Sequence, residues 1–336
     1  MIPPIYKAKE ERYDKMQYRF VGKSGLKFPA VSLGFWHNFG SIGRYETMKE
    51  ICRTAFDNGV THFDLANNYG PYYGAAETNA GRILAEDFRP YRDELVISSK
   101  AGYDMWPGPY GVGGSRKYLM ASLDQSLKRL GLDYVDIFYH HCMDPDTPLE
   151  ETMETLVDMV RSGKVLYAGI STYDEAHTRA AVEYMRSRHC PLIVNQRRYS
   201  ILDRTIEKDG VKDCCLEEGL GIIVFSPLAQ GLLTDRYLNG IPEDSRVMTD
   251  PRFLKKSALT EKTLNGIRKL NDLASERGQT LAQMALAWLL QNPVVCSVLA
   301  GASRPEQLLD NIKAAENISF SEEENELIDR ITAEMT

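Results

Sequence analysis

Six cysteines occur in the chain, and none is placed for a disulfide framework or a metal. No C-x-x-C pair is present, and no cysteine–histidine cluster has zinc spacing. A free-thiol protein of a reducing cytoplasm is the simplest expectation. No excess of positive charge exists: the net charge is −7, which argues against nucleic acid or an anionic membrane as the main partner. The opening MIPPIYKAKEERYDK is charged and carries no apolar core, so no secretory signal is expected. The apolar stretch around Leu281 to Leu290 is too short and too interrupted to span a bilayer. No G-x-G-x-x-G follows any strand-like run, which makes a Rossmann domain a poor reading. No low-complexity tract or linker divides the chain.

What the chain does contain is a repeat of short β-like runs and helix-length segments. The runs are VSLGF from Val31, VTHFDL from Val60, ELVISSK from Glu94, YVDIFY from Tyr134, VLYAGI from Val165, LIVNQ from Leu192, GIIVFS from Gly221 and VVCSVLAG from Val294. Strand–helix alternation implies a parallel sheet. Eight units in 336 residues predict a (β/α)8 TIM barrel, an α/β fold, as a single domain over 1–336. Thr147-Pro148-Leu149-Glu150 reads as an N-cap, a first-turn proline and a capping-box glutamate. Leu119, Leu123, Leu127 and Leu130 line one helix face that stops at Gly131. Three segments fall outside the repeat. Residues 16–30 read as an N-terminal hairpin turning at Lys23-Ser24-Gly25, placed to close the barrel bottom. Residues 228–260 read as a long Pro- and charge-rich loop, and Ser321 opens an extra C-terminal helix.

In such a barrel the active site lies where strands end. Asp64 closes the second run, Lys100 the third and His141 the fourth, and Tyr69 follows Asp64 in its loop. Each alone has a plainer explanation: a cap, a solvated amine, a gap-filling ring. Four together at strand ends suggest one device. A lysine ammonium stabilises a phenolate and strengthens the phenol as an acid. A carboxylate supplies the ammonium's counter-charge, and a histidine orients a carbonyl oxygen or relays a proton. The sum protonates a C=O, so the nucleophile must come from a bound reagent, with hydride the obvious candidate. Past the last strand, Gly301-Ala302-Ser303-Arg304 opens a helix. Ser303 with Glu306 can be read as a capping box that needs no ligand. Arg304 opposes the helix dipole there and so points to a bound anion.

With these motifs in place, the chain resembles the aldo-keto reductases over nearly its whole length. The motifs are HFDLANNYG, SSK, VDIFYHH, GIS, NQRRYS, FSPLAQGLL and GASRPEQLLDN. The loop GYDMWPGPYGVGGSRKY and the opening GFWHNFG resemble the bacterial L-glyceraldehyde-3-phosphate reductase branch, which is similar to the β subunits of voltage-gated potassium channels. The resemblance implies NADP(H)-dependent reduction of small aldehydes or ketones, with L-glyceraldehyde 3-phosphate and methylglyoxal as candidates. It implies Tyr69 as general acid, tuned by Lys100 and Asp64, and it favours His141 over His140 by its place five residues after Asp136. Ser171 and Gln196 would hold the nicotinamide amide, and Tyr199 would stack on the ring. Phe225, Ser226, Leu228, Gln230 and Gly231 would follow the pyrophosphate, with Gly301 and Ser303 continuing that side. Arg304 would meet the 2′-phosphate, with Gln307 and Asn311 near ribose and adenine.

Two departures weaken single contacts: Thr172 where many members carry Asn, and Asp310 where Glu is frequent. The substrate pocket would draw on Trp36, Tyr69 and Trp106, with core packing the equal alternative for both tryptophans, and on His37 or Arg116. Arg197 and Arg198 have no derivable role. No metal is implied. A homo-oligomer, tetramer or larger, is expected from the same resemblance. Two other readings stay open: a nucleotide-sensing regulatory subunit with little turnover, and a Schiff-base lyase using Lys100.

Overall fold

The computed structural model describes residues 6–243, 246–249 and 254–335. Two antiparallel strands come first, β1 (Tyr18–Phe20) and β2 (Lys27–Pro29). Eight more follow: β3 (Val31–Gly34), β4 (His62–Asp64), β5 (Val96–Ala101), β6 (Val135–His140), β7 (Val165–Ser171), β8 (Leu192–Arg198), β9 (Gly221–Phe225) and β10 (Val295–Ala300). All eight pair in parallel, in the order β10-β3-β4-β5-β6-β7-β8-β9, and the ends meet to close a barrel. Each predicted run supplies one barrel strand.

Most of the expected helix punctuation is obeyed, and the exception at Thr147 is informative. Helix Arg116–Leu130 is capped by the Ser115 hydroxyl, buries the four leucines and ends on Gly131 at φ 65°. The last helix, Glu322–Met335, opens with the Ser321 hydroxyl and Glu324 carboxylate each accepting the other's backbone N–H. The expected capping box at Thr147 does not form. The helix runs Leu149–Arg161 with Pro148 as an N-cap that makes no side-chain bond. The Thr147 hydroxyl donates instead to Asp144, at 2.7 Å, and the same carboxylate also accepts the Gly114 N–H. A carboxylate three residues back outcompetes the cap, and the Gly114 N–H holds that carboxylate in place, tying the loop after β6 to the loop after β5.

Two hydrophobic clusters divide the core. The larger lies between the outer strand faces and the helices. The smaller fills the barrel interior with Ile137, Val194, Ile223, Cys296 and Leu299, and includes Val21 and Phe28 from the N-terminal hairpin. Phe28 is fully buried, so the hairpin does plug the barrel. The predicted loop 228–260 includes residues 244–245 and 250–253, which lie outside the described residues. The remainder holds short helical turns at Ala229–Gly231, Asp235–Tyr237 and Lys256–Ala258. Helix Leu281–Leu290 is buried on nearly every side, as its all-round apolarity requires. No helix among the described residues is long and apolar enough to cross a membrane.

Candidate active site

Strand alternation decides which side chains enter the barrel mouth. In β4 and β5, residues two apart face the same way, which sends Asp64 and Lys100 inward together. Both are essentially unexposed. Lys100 Nζ donates to Asp64 Oδ2 at 2.6 Å, to the Leu65 carbonyl at 2.6 Å and to the Tyr69 hydroxyl at 3.3 Å. The other carboxylate oxygen of Asp64 accepts from Ser98 Oγ at 2.8 Å and Gln196 Nε2 at 3.1 Å. A buried ion pair is tolerable only when its remaining valences are satisfied, and these bonds satisfy them.

Tyr69 is reached through the sharp turn that follows β4, and its ring meets the His141 ring edge-on at 5.7 Å. His141 lies one residue past β6, with its N–H donated to the Ala101 carbonyl at 2.8 Å. Its Nδ1 is buried and makes no hydrogen bond with any described residue. The neighbouring His140 turns the other way and shares a 2.6 Å bond with the Tyr173 hydroxyl. The structure thus brings Asp64, Tyr69, Lys100 and His141 into one cluster, while His140 braces the loop wall.

Burial dominates the electrostatics. It holds Tyr69 well above the ordinary phenol range, and the Asp64 carboxylate adds to the rise. This is the opposite of the expected phenol made more acidic by lysine. Burial opposes the phenolate first, and Asp64, which lies closer to the ammonium than the phenol does, offsets the lysine's charge. Burial also lowers Lys100, against the opposing pull of Asp64. His141 falls well below the usual imidazole value through burial and the nearby Lys100 charge, and His140 falls to about 4 for the first reason. The cluster at neutral pH is therefore a protonated phenol beside a neutral imidazole and an ion pair.

The second group of candidates spans the ends of β7 to β10. Ser171 ends β7, and its hydroxyl donates to the Gln196 carbonyl at 3.1 Å. Thr172 is held at φ 59°, a conformation that asparagine adopts more readily than a β-branched residue. Phe225 ends β9 half-buried and packs on the interior cluster. The loop behind it contains three left-handed non-glycine residues, Ser226, Ala229 and Gln230, before Gly231 at φ 94°. Such strain collects at ligand-binding loops. Gln230 Nε2 donates to Ser226 Oγ at 2.8 Å, and Leu228 precedes the short turn.

Beside this loop, after the adjacent β10, Gly301, Ser303 and Arg304 are exposed. The Ser303–Glu306 capping box is absent. Helix Pro305–Ile312 starts at proline, so Arg304 becomes an N-cap with no side-chain bond. Gln307 reaches back instead, accepting from the Ser303 N–H at 3.0 Å and hydroxyl at 3.2 Å. Arg304 makes no ion pair with any described residue, unlike Arg53, Arg129, Arg197 and Arg277. Asn311 is buried, with an Nδ2 that finds no acceptor among the described residues. An unpaired cation and an orphaned donor on one helix, at i and i+7, fit an extended anionic ligand with polar groups. Asp310 faces away, accepting from Gln283 at 2.7 Å.

Tyr199 does not join the site. Its ring is 2% exposed, packs on Trp288 at 5.5 Å and bonds Glu207 through its hydroxyl. By alternation it points outward from the end of β8, whereas Phe225 carries an aromatic ring at the mouth. Trp36 is half-buried next to the Tyr69 loop, its carbonyl accepting from Gly70 at 3.2 Å. Trp106 is half-buried against Tyr118, ring to ring at 5.1 Å. Arg116 pairs with Asp158 on a neighbouring outer helix, so it is not free to meet a substrate. Arg197 and Arg198 pair with Asp209 and Asp203, which assigns both to loop structure. Tyr103 was missed: 42% exposed, it lies edge-on to His141 at 4.7 Å. Ser98 was missed too, although its spacing of two from Lys100 was the available signal. No group of three or more metal-binding side chains lies among the described residues.

Comparison with known proteins bears on all of this. The family model described as Aldo/keto reductase family matches residues 30–333. An L-glyceraldehyde 3-phosphate reductase of Escherichia coli O157:H7 is 57% identical over 333 residues, 98% of this chain and 96% of that protein. A putative voltage-gated potassium channel subunit beta of Schizosaccharomyces pombe is 36% identical over 316 residues, covering 90% and 88% of the two chains. A crystal structure of a thermostable aldo-keto reductase with the inhibitor epalrestat superposes with a TM-score of 0.73 at 33% identity, covering 94% of this chain and all of that one.

Proposed function

The chain belongs to the aldo/keto reductase family, and from that premise we propose that it uses NADPH to reduce a small aldehyde or ketone, the phosphorylated L-glyceraldehyde 3-phosphate first and the unphosphorylated methylglyoxal second. The carrying observation is the Tyr69 phenol within 3.3 Å of a lysine that is itself ion-paired at 2.6 Å. The 57% identity to a reductase of that name supports the substrate. A bound nicotinamide dinucleotide supplies the hydride.

The protein's residues do the rest. Tyr69 keeps its proton in the resting site because burial opposes the phenolate. It gives that proton up as negative charge develops on the substrate oxygen, when the Lys100 ammonium has a new anion to stabilise. Asp64 keeps that ammonium charged. His141, neutral, faces the same oxygen and orients it. Gln196 and Ser171 hold the amide end of the cofactor, and Phe225 takes over from Tyr199 as the ring's aromatic wall. Ser226, Leu228, Gln230, Gly231, Gly301 and Ser303 line the phosphates. Arg304 meets a 2′-phosphate, and Asn311 and Gln307 face the adenosine. Trp36, Tyr103 and Trp106 border the substrate.

A Schiff-base role for Lys100 is disfavoured, because its amine is unexposed and shared among three oxygens. The regulatory-subunit reading has a 36% identical relative behind it but no feature of this site. Assembly into a homo-oligomer belongs with the proposal and is read by light scattering. The deciding experiment is a carbonyl panel with each cofactor. Consumption of NADPH with L-glyceraldehyde 3-phosphate is expected. Tight NADPH binding with no turnover on any carbonyl overturns the proposal in favour of the regulatory reading.

A further inference from the structure

The barrel interior holds a line of polar side chains that the reaction as described does not use. His62 lies in β4, two residues before Asp64 and on the same face. It is fully buried, and its ring stacks flat on Phe28 of the N-terminal hairpin, centroids 4.3 Å apart and 2° from parallel. Nε2 lies 2.9 Å from Ser98 Oγ, and Nδ1 lies 2.9 Å from Ser32 Oγ. Ser32 Oγ is in turn 2.6 Å from Ser297 Oγ in β10. Ser98 Oγ is 2.8 Å from Asp64 Oδ1. Five side chains from four strands make an unbroken chain ending on the carboxylate that pairs with Lys100. All five are buried, at 1% exposure or less.

The direction of every proton in this chain follows from its end. Asp64, ion-paired with Lys100, can only accept. Ser98 has one proton, and it goes to Asp64. Ser98 Oγ must then accept from His62, which requires the Nε2–H tautomer. With Nε2 protonated on a neutral ring, Nδ1 accepts, so Ser32 donates to it. Ser32 has then spent its proton and accepts from Ser297 at 2.6 Å, a closer acceptor for that hydroxyl than the Ala30 carbonyl at 3.3 Å. Successive bonds polarise one another in the same sense.

We infer that His62 is a positioning residue for the reaction: as its Nε2–H tautomer it fixes the Ser98 hydroxyl on Asp64 and so holds the carboxylate against Lys100. The N-terminal hairpin takes part, because Phe28 fixes the plane of the imidazole. Burial lowers His62 to about 4, with Asp64 and Lys100 the charges that act on it in opposite senses, so the ring is neutral at neutral pH. The kinetic consequence rests on the reductase reading. The tautomer does not.

Two measurements test this on the intact protein. Histidine-selective 15N NMR should show one neutral imidazole in the Nε2–H form from about pH 8 to about pH 5, identified by its loss in His62→Gln. An Nδ1–H form or an imidazolium in that range overturns the inference whether or not the protein reduces any carbonyl. The kinetic arm compares two substitutions. His62→Gln keeps one donor and one acceptor, while His62→Phe keeps the stacking and neither bond. Loss of an anchored hydrogen bond to a charged group predicts kcat lower by about 10- to 100-fold in His62→Phe, within about threefold of wild type in His62→Gln, and NADPH affinity unchanged in both. Equal kcat values for the two folded variants overturn it. If His62→Phe does not fold, Ser98→Ala replaces it, with a loss of about 10-fold in kcat expected and an unchanged kcat refuting the chain. A wild-type protein with no turnover sinks the reductase reading alone and leaves the NMR result to decide this one.

Discussion

Replacing Tyr69 by phenylalanine removes one oxygen atom from the centre of the site. Among the described residues that oxygen has one hydrogen-bond partner, Lys100 Nζ at 3.3 Å, and the ammonium keeps two closer acceptors at 2.6 Å, Asp64 and the Leu65 carbonyl. The folded state should therefore lose less than about 1.5 kcal/mol. With unfolding entropy near 2.1 cal/mol/K per residue, a 336-residue chain has about 0.7 kcal/mol/K, so the melting point should fall by about 2 °C or less. The chemical step should suffer far more. A positioned general acid contributes about 10²- to 10⁴-fold, or about 2.7–5.5 kcal/mol of barrier. Single-turnover oxidation of bound NADPH, followed by nicotinamide absorbance, measures the step, and protein fluorescence measures cofactor affinity. The expected result is a large loss of rate with affinity and melting point nearly intact. A rate within about threefold of wild type would refute Tyr69 as the acid, and a matching collapse of cofactor affinity would show that the oxygen holds the site together instead.

Arg304→Ala should weaken NADPH binding by about 10-fold, the lower end for a charge-assisted contact because the site is exposed, and leave NADH binding unchanged. An equal loss for both cofactors removes the 2′-phosphate assignment. Stability should also depend on pH through the three buried histidines. Burial holds His62 and His140 at about 4 and His141 well below its usual value. Below about pH 6.5 the unfolded chain takes up protons that the folded one refuses. Stability is thus complete above that pH and falls on acidification towards pH 4, by about 1.4 kcal/mol per unit for each histidine and about 4 together. Urea midpoints between pH 7 and pH 5 read the slope, and a flat line contradicts the burial of these rings as neutral species.

Much of this site is legible in the sequence. Strand–helix alternation gave the barrel, and the barrel dictates that strand ends share one rim, which is why Asp64, Lys100 and His141 could be grouped from their positions alone. Local chemistry was legible where the partner is close in sequence, as at Ser115, Gly131 and Ser321. It failed at two caps where another acceptor, itself only three or four residues away, takes the hydroxyl. Thr147 abandoned its cap for Asp144, and Ser303 bonds Gln307 because Pro305 sets the helix start one residue later than a serine cap would.

The sequence by itself determined the eight-unit barrel, its family and the four residues at its mouth, because those depend on periodicity and on residue type at strand ends. Only the tertiary structure decided which way each side chain faces. It turned Tyr199 outward onto Trp288, tied Arg116 to an outer helix, and lined His62, Ser98 and Asp64 along the barrel axis. It also reversed the expected acidity of Tyr69, since burial and a carboxylate's distance are properties of packing. No spacing along the chain encodes how much water a folded pocket excludes.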